Sequence, residues 1–170
     1  MYKWVFIFSF IFFESFVYSG SFVHRLCQSN EELLYSFTLN RSRKSVCLCK
    51  EKEGAYLVYR FGTPDKIELQ YPEKPDHTSW RSFIFYGEKR FGGKANAGFG
   101  DYWLSFENKH VRYRVYETWN DEDGSTAIGV EVTSNGKRIF LKGDTNSKEG
   151  TLLRLDDEAK KMVNSADDEL

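Results

Sequence analysis

Clustered histidines, a one-sided charge and a long apolar run are all missing from this chain. Its 24 basic residues face 25 acidic ones across 170 positions. That balance excludes the strongly basic footprint of a nucleic-acid-binding domain. The longest apolar run, Trp4–Phe13, is about half the length of a bilayer-spanning helix and is followed by Glu14. The three histidines, His24, His77 and His110, are scattered. Neither a G-x-S-x-G elbow nor an H-E-x-x-H pair occurs, so two common hydrolase designs are excluded. No catalytic residue, metal site or cofactor is expected, and the chain is read as a non-enzyme. Proline is rare, with three residues, and no linker or internal repeat divides the sequence.

What is present begins with a targeting signal. Lys3, the apolar run and then Val17-Tyr18-Ser19 have the three-part layout of a secretory signal peptide over residues 1–19. An uncleaved anchor is the alternative. After removal no membrane span is left, and about 150 residues form a single β domain, 20–155, followed by an acidic tail, 156–170. The tail has six acids and two bases, whereas Arg81–Arg114 has seven bases and three acids. The closing Asp-Asp-Glu-Leu lacks the leading Lys or His of an ER-retention signal. The expected location is outside the cytoplasm, in a periplasm or secreted.

Three cysteines, Cys27, Cys47 and Cys49, then fall in an oxidising compartment, where a disulfide is expected. Cys47 and Cys49 share one strand face about 7 Å apart, too far to bond each other. Cys27 therefore pairs with Cys47 or Cys49. The Cys27–Cys47 pair is taken as the working assignment. A lone C-x-C lacks the spacing of a zinc site.

Period-2 alternation marks the strands. "AYLVYRF" (55–61) sets Ala55, Leu57, Tyr59 and Phe61 against Tyr56, Val58 and Arg60. "KIELQY", "HVRYRVYE" and "TAIGVEVT" alternate in the same way. Shorter strands are predicted at Tyr35–Arg41, Ser45–Cys49, Trp80–Tyr86, Asp101–Glu107, Arg138–Lys142 and Thr151–Leu155. Asn135-Gly136 signals a type I′ hairpin, and Asp123-Gly124 and Pro64-Asp65 signal further turns. A turn at Gln28–Tyr35 and a short helix at Asp156–Val163 complete the pattern. The fold class is all-β: a single antiparallel β-sandwich or small β-barrel of about eight to ten short strands, with a short C-terminal helix or disordered tail.

One stretch invites a nucleotide reading. "RFGGKANAGFG" (90–100) is glycine-rich, yet Lys94 is followed by Ala95 and the run leads into a strand. Both phosphate-binding fingerprints require a helix there. The loop is instead a long hairpin connection and a candidate contact surface on a rigid scaffold. Lys89, Arg90 and Lys94 give it positive charge, with Asn96 and Phe99 as further contacts. Tyr102 and Trp103 point to opposite faces, so one is expected to be exposed; both are kept as candidates, since aromatics and arginines anchor interfaces. Glu117, Asp121, Glu122 and Asp123 cluster around Trp119 as a solvated hairpin tip.

Three stretches, "VCLCKEKEGAYLVYRFGTPDKIELQYP", "RFGGKANAGFGDYWLSFENKHVRYRVYE" and "STAIGVEVTSNGKRIFLKG", resemble a group of small exported bacterial β proteins that are largely uncharacterised. The resemblance covers residues 45–155 and centres on Tyr59 to Gly62, Asn96 to Gly98 and Tyr102 to Phe106. The layout is more loosely similar to periplasmic inhibitors of c-type lysozyme, which are disulfide-bonded β-barrels. Their Ser-Gly inhibitory motif has no counterpart in "TSWRSFIFYG". The signal peptide, the lack of catalytic constellations and the loop-rich β scaffold lead to an exported binding protein of inhibitor or immunity type, with a protein partner such as an envelope enzyme or toxin. A small-molecule-binding β-barrel is the alternative.

Overall fold

A computed structural model describes residues 26–164. The expected signal peptide, 1–19, and the last six residues of the acidic tail lie outside them. Four strands form a meander: β1 (Glu31–Thr38), β2 (Ser45–Glu51), β3 (Leu57–Thr63) and β4 (Lys66–Tyr71). Five more form a second meander: β5 (Ile84–Arg90), β6 (Phe99–Asn108), β7 (Val111–Asn120), β8 (Ser125–Ser134) and β9 (Lys137–Lys142). The chain then returns as β10 (Glu149–Gly150), which pairs with β1, and β11 (Val163–Asn164), which pairs parallel to β5. The sheets run β10-β1-β2-β3-β4 and β11-β5-β6-β7-β8-β9. They do not close into a barrel, so the architecture is a sandwich.

The turn residues do what their conformations demand. Asn135 and Gly136 both have positive φ, 50° and 74°, which a type I′ turn requires. Lys109 and His110 adopt the same left-handed pair, so His110 sits in the β6–β7 turn, one residue before the strand.

Alternation places one face of each strand in the core. Leu57 and Tyr59 face inward with Val46, Leu48, Tyr35 and Phe37, against Leu104, Phe106, Val115 and Val130 from the second sheet. Phe106 stacks on Tyr71 and Tyr113 at 4.4 and 5.0 Å, and Tyr59 packs beside it at 4.9 Å. These rings pack against one another between the two sheets.

The outer face of the five-stranded sheet is covered as well. Leu26, Cys47, Cys49 and Val58 form a second apolar cluster there, joined by Cys27, Leu33 and Tyr56. The disulfide is Cys27–Cys49, with Cα atoms 5.6 Å apart, which corrects the Cys27–Cys47 assignment. The reason is the turn that precedes β1: Glu31 N–H donates to Gln28 O at 3.0 Å, and Leu33 lies opposite Cys49. This brings Cys27 over Cys49, while Cys47 lies beneath Leu26, whose N–H donates to its Sγ at 3.4 Å. Burial pushes the Cys47 thiol up to about 11. We therefore expect thiol titration to find one thiol per chain, silent in the native protein and reactive only after denaturation. A thiol that reacts at once under native conditions would contradict this burial.

Predicted elements differ in three regions. Thr151–Leu155 is not a strand: a 3-10 helix runs Leu152–Lys161, earlier than the helix expected at Asp156–Val163. Thr151 Oγ1 accepts from Leu153 N–H, and Leu152 and Leu155 bury one helical turn apart. Trp80–Tyr86 divides into a 3-10 turn, Ser79–Ser82, and β5. Asp76 and Ser79 side chains capture the local N–H groups, and Trp80 Nε1 donates to Gly54 O at 3.0 Å. Finally, β1 begins at Glu31, so the Tyr35–Arg41 strand is shifted toward the N-terminus.

Candidate binding face

Among the described residues, no segment covers the outer face of the six-stranded sheet. Register places Tyr86, Trp103, Tyr116 and Gly129 side by side across β5 to β8. Trp103 stands between two neighbours: Tyr86 stacks on it at 5.4 Å and 15°, and the Arg114 guanidinium lies 4.5 Å over its ring. All three are half-buried. Tyr116 leans over Gly129, where an added Cβ would meet its hydroxyl at 2.5 Å. Glu88 and Asp101 form the next row toward the glycine-rich loop, and Arg90 and Phe99 pair in the row beyond.

The loop is built by close approach, not for phosphate. Gly98 is buried, and a Cβ on it would lie 2.5 Å from Asp121 Oδ2 and 2.8 Å from Gly92 N. Asp121 N–H donates to Gly98 O, and Gly93 N–H donates to Asn96 O, both at 2.9 Å. Gly100 takes the flat of the Trp119 ring, whose Nε1 would be 2.2 Å from a Cβ. The result is an open cup of about 680 Å³, lined by Gly92–Gly98 and Asp121.

The predicted contact residues divide. Arg90 donates to Ala97 O from Nε and Nη2 at 3.3 and 3.0 Å, and lies 5.2 Å over the Phe99 ring. Arg90, Phe99 and Trp103 thus share the outer face. Lys94 and Asn96 sit exposed at the loop tip. Lys89 points the other way and pairs with Asp156 of the 3-10 helix. Tyr102 is the inward partner of the Tyr102/Trp103 alternation; it is 1% exposed and belongs to the core. Its place on a contact surface is thereby corrected.

Glu117 also leaves its predicted cluster. It is 2% exposed and accepts from Lys148 Nζ, Thr151 Oγ1 and Leu152 N–H at 2.6, 2.9 and 2.7 Å. It is a structural anchor, not part of the solvated tip at Asp121–Asp123. Cys27, Glu31 and Cys49 bring ligand-type atoms within 4.8 Å of one another. The two sulfurs are bonded together and Glu31 is ion-paired with Arg60, so these three residues are already engaged with other partners.

Sequence reasoning missed Tyr86, Arg114 and Tyr116. The alternation of "HVRYRVYE" already put Arg114 and Tyr116 on one face, but only the β6–β7 register places them beside Trp103. Comparison with protein-family models, curated proteins and solved structures finds no match.

Proposed function

We propose that this chain is an exported β-sandwich that binds a partner protein of the cell envelope, as an inhibitor or immunity-type protein. The observation that carries the reading is Trp103 held between Tyr86 and Arg114 on a sheet face that no other described segment covers. Aromatics and arginine are the residue types that dominate binding energy at protein interfaces. The Arg90–Phe99 pair, one row beyond Glu88 and Asp101 on the same face, and the loop tip at Lys94 extend that surface. The Cys27–Cys49 disulfide suits an oxidising compartment.

A pulldown from envelope extract with the chain as bait tests the proposal, using the Lys94→Ala/Phe99→Ala variant as control. Rim contacts of this kind are each of modest energy, so about a fivefold loss of recovered partner is expected. Identical recovery by both baits would remove the loop from the interface. Recovery of no specific partner by the wild-type bait would remove the binding function itself.

A further inference from the structure

The six-stranded sheet ends on β9, and among the described residues no strand lies beyond it. Its register with β8 is unbroken from Gly129↔Lys142 to Ser134↔Lys137. The other sheet ends are less regular: β10 and β11 have two residues each, and β4 joins β3 across a bulge at Phe61/Gly62. The hairpin fixes which backbone groups of β9 face outward. Its two-residue turn makes the flanking Ser134 and Lys137 a hydrogen-bonded pair. Lys137, Ile139 and Leu141 therefore bond toward β8, and Arg138, Phe140 and Lys142 direct their N–H and C=O groups away from it. Two bonds at the end of the strand agree with this phase. Gly143 N–H donates to Ile128 O, and Lys142 O accepts from Asn40 N–H, both at 2.9 Å. Asn40 thus closes the Lys142 end, and the backbone of Arg138 and Phe140 is what the edge offers. Ile139 and Phe140, one on each face of the sheet, are 58% and 56% exposed beside it.

We propose that β9 takes an extended, acidic segment of the partner protein as an added strand of the six-stranded sheet. This inference rests on reading the chain as a protein-binding module. An exposed sheet edge supplies main-chain hydrogen bonds to an incoming strand, and the side chains on either face supply its selectivity. Here the bonds come from Arg138 and Phe140, and the apolar contacts from Ile139 and Phe140.

The charge of β9 selects the occupant. Lys137, Arg138 and Lys142 are basic, and the strand has no acid. Glu131 Oε1 lies 3.7 Å from Arg138 Nε, which still leaves the strand an excess of positive charge. A second copy of the chain would set these cations against their own kind. With Phe140 opposite Phe140, each Arg138 would face the other copy's Lys142. Like charges directly opposite destabilise a strand pair, and opposite charges support it. Basic side chains on an edge therefore disfavour self-pairing while leaving the edge open to an acidic strand.

Backbone amide exchange of the labelled chain, followed by NMR, gives a direct readout. The probe is acetyl-EEVTVE-amide. Its controls are acetyl-KKVTVK-amide and the acidic peptide N-methylated at its Val, Thr and Val, which keeps the charges and removes the donors. In the free protein the Ile139 amide should be protected by β8, and those of Arg138 and Phe140 should exchange fast. At saturation the acidic peptide should slow exchange at Arg138 and Phe140 by at least about tenfold, and neither control should do so. Phe140→Pro removes an outward N–H that β8 does not use, a change that edge strands tolerate. It should weaken the peptide about tenfold. Lys137→Glu/Lys142→Glu should transfer the preference to the basic peptide. Equal protection by either control overturns the inference, as does exchange at Arg138 and Phe140 that the acidic peptide leaves unchanged. Protection of the same two amides by dimerisation of the chain alone overturns it too, since the occupant is then a second copy. So does a pulldown by Phe140→Pro and by Lys137→Glu/Lys142→Glu that matches wild type while Trp103→Ala loses the partner. That last outcome leaves the binding function standing and removes only the added strand.

Discussion

Arg60→Met will destabilise the protein by about 3–5 kcal/mol at neutral pH, because it leaves a buried carboxylate without its cation. Arg60 is fully buried, and Glu31 is 6% exposed. Two guanidinium nitrogens reach the two carboxylate oxygens, Nη1 to Oε2 at 2.5 Å and Nη2 to Oε1 at 2.9 Å. Arg60 also donates to Gln70 Oε1 at 2.7 Å and to Leu26 O at 3.2 Å. Glu31 accepts further from Gln28 N–H at 2.6 Å and from Tyr56 Oη at 3.0 Å. Four of the five guanidinium N–H groups are therefore used, and each carboxylate oxygen accepts two hydrogen bonds. The network holds Leu26–Asn30 over the sheet together with the disulfide. Adding Glu31→Gln to Arg60→Met should recover part of the loss, because no buried charge is then left. Equal losses in the single and double variants, measured by chemical denaturation, would refute a pairwise role.

The same pair sets an acid dependence with a definite sign. Burial by itself raises the Glu31 pKa, but the hydrogen bonds from Arg60, Gln28 N–H and Tyr56, with the Arg60 charge, outweigh it and lower it below the ordinary carboxylate value. A carboxyl with a depressed folded pKa contributes stability that is complete above its unfolded pKa and is lost as pH falls through the folded one. Wild type should thus lose this contribution only well into the acid range. In Arg60→Met, burial acts with less opposition, and protonation of Glu31 relieves the variant. The stability gap between the two proteins should narrow from about pH 7 to about pH 3. A gap that stays constant over that interval would mean that Glu31 is not the titrating group.

The β architecture was legible wherever a strand keeps one face wet or one face dry. "AYLVYRF" correctly separates Leu57 and Tyr59 from Val58 and Arg60, and Asn135-Gly136 marks its hairpin from local chemistry alone. What alternation does not carry is the identity of whatever covers the second face. Arg60 is charged and alternates away from the core, yet Leu26–Asn30 buries it through a contact 34 positions away in sequence. The choice of Cys49 over Cys47 follows from that same covering segment. Period-2 reasoning likewise separated Tyr102 from Trp103 without saying which faced inward. That depended on the five-stranded sheet, against which the crossover after β4 lays the second meander. The Trp103–Arg114 contact was the least legible, since it joins two strands diagonally and exists only in one register. The 3-10 helix at Leu152–Lys161 escaped because Leu152 and Leu155, three apart, fit neither a strand nor a clean 3.6-residue repeat.

Trp103→Ala should have the largest effect on binding of any single change on the outer face, weakening the recovered partner by at least about thirtyfold. Its ring is the only one in the row clamped on both sides, by Tyr86 and by Arg114. A ring held in this way pays little entropy when a partner packs on its free edge. Removing it also takes away the ring over which the Arg114 guanidinium lies. The cost to folding should be far smaller, about 1 kcal/mol, because cross-strand aromatic pairs on an open face contribute only that much. Affinity for the recovered partner by biolayer interferometry, set beside thermal unfolding, separates the two effects. Trp103→Phe keeps a ring against Tyr86 and Arg114 and should retain most of the affinity. If instead Trp103→Ala lowers stability by several kcal/mol and Trp103→Phe restores stability and binding in parallel, Trp103 is a structural residue and the face has lost its anchor. If Trp103→Ala binds as well as wild type while Lys94→Ala/Phe99→Ala does not, the partner sits on the glycine-rich loop alone.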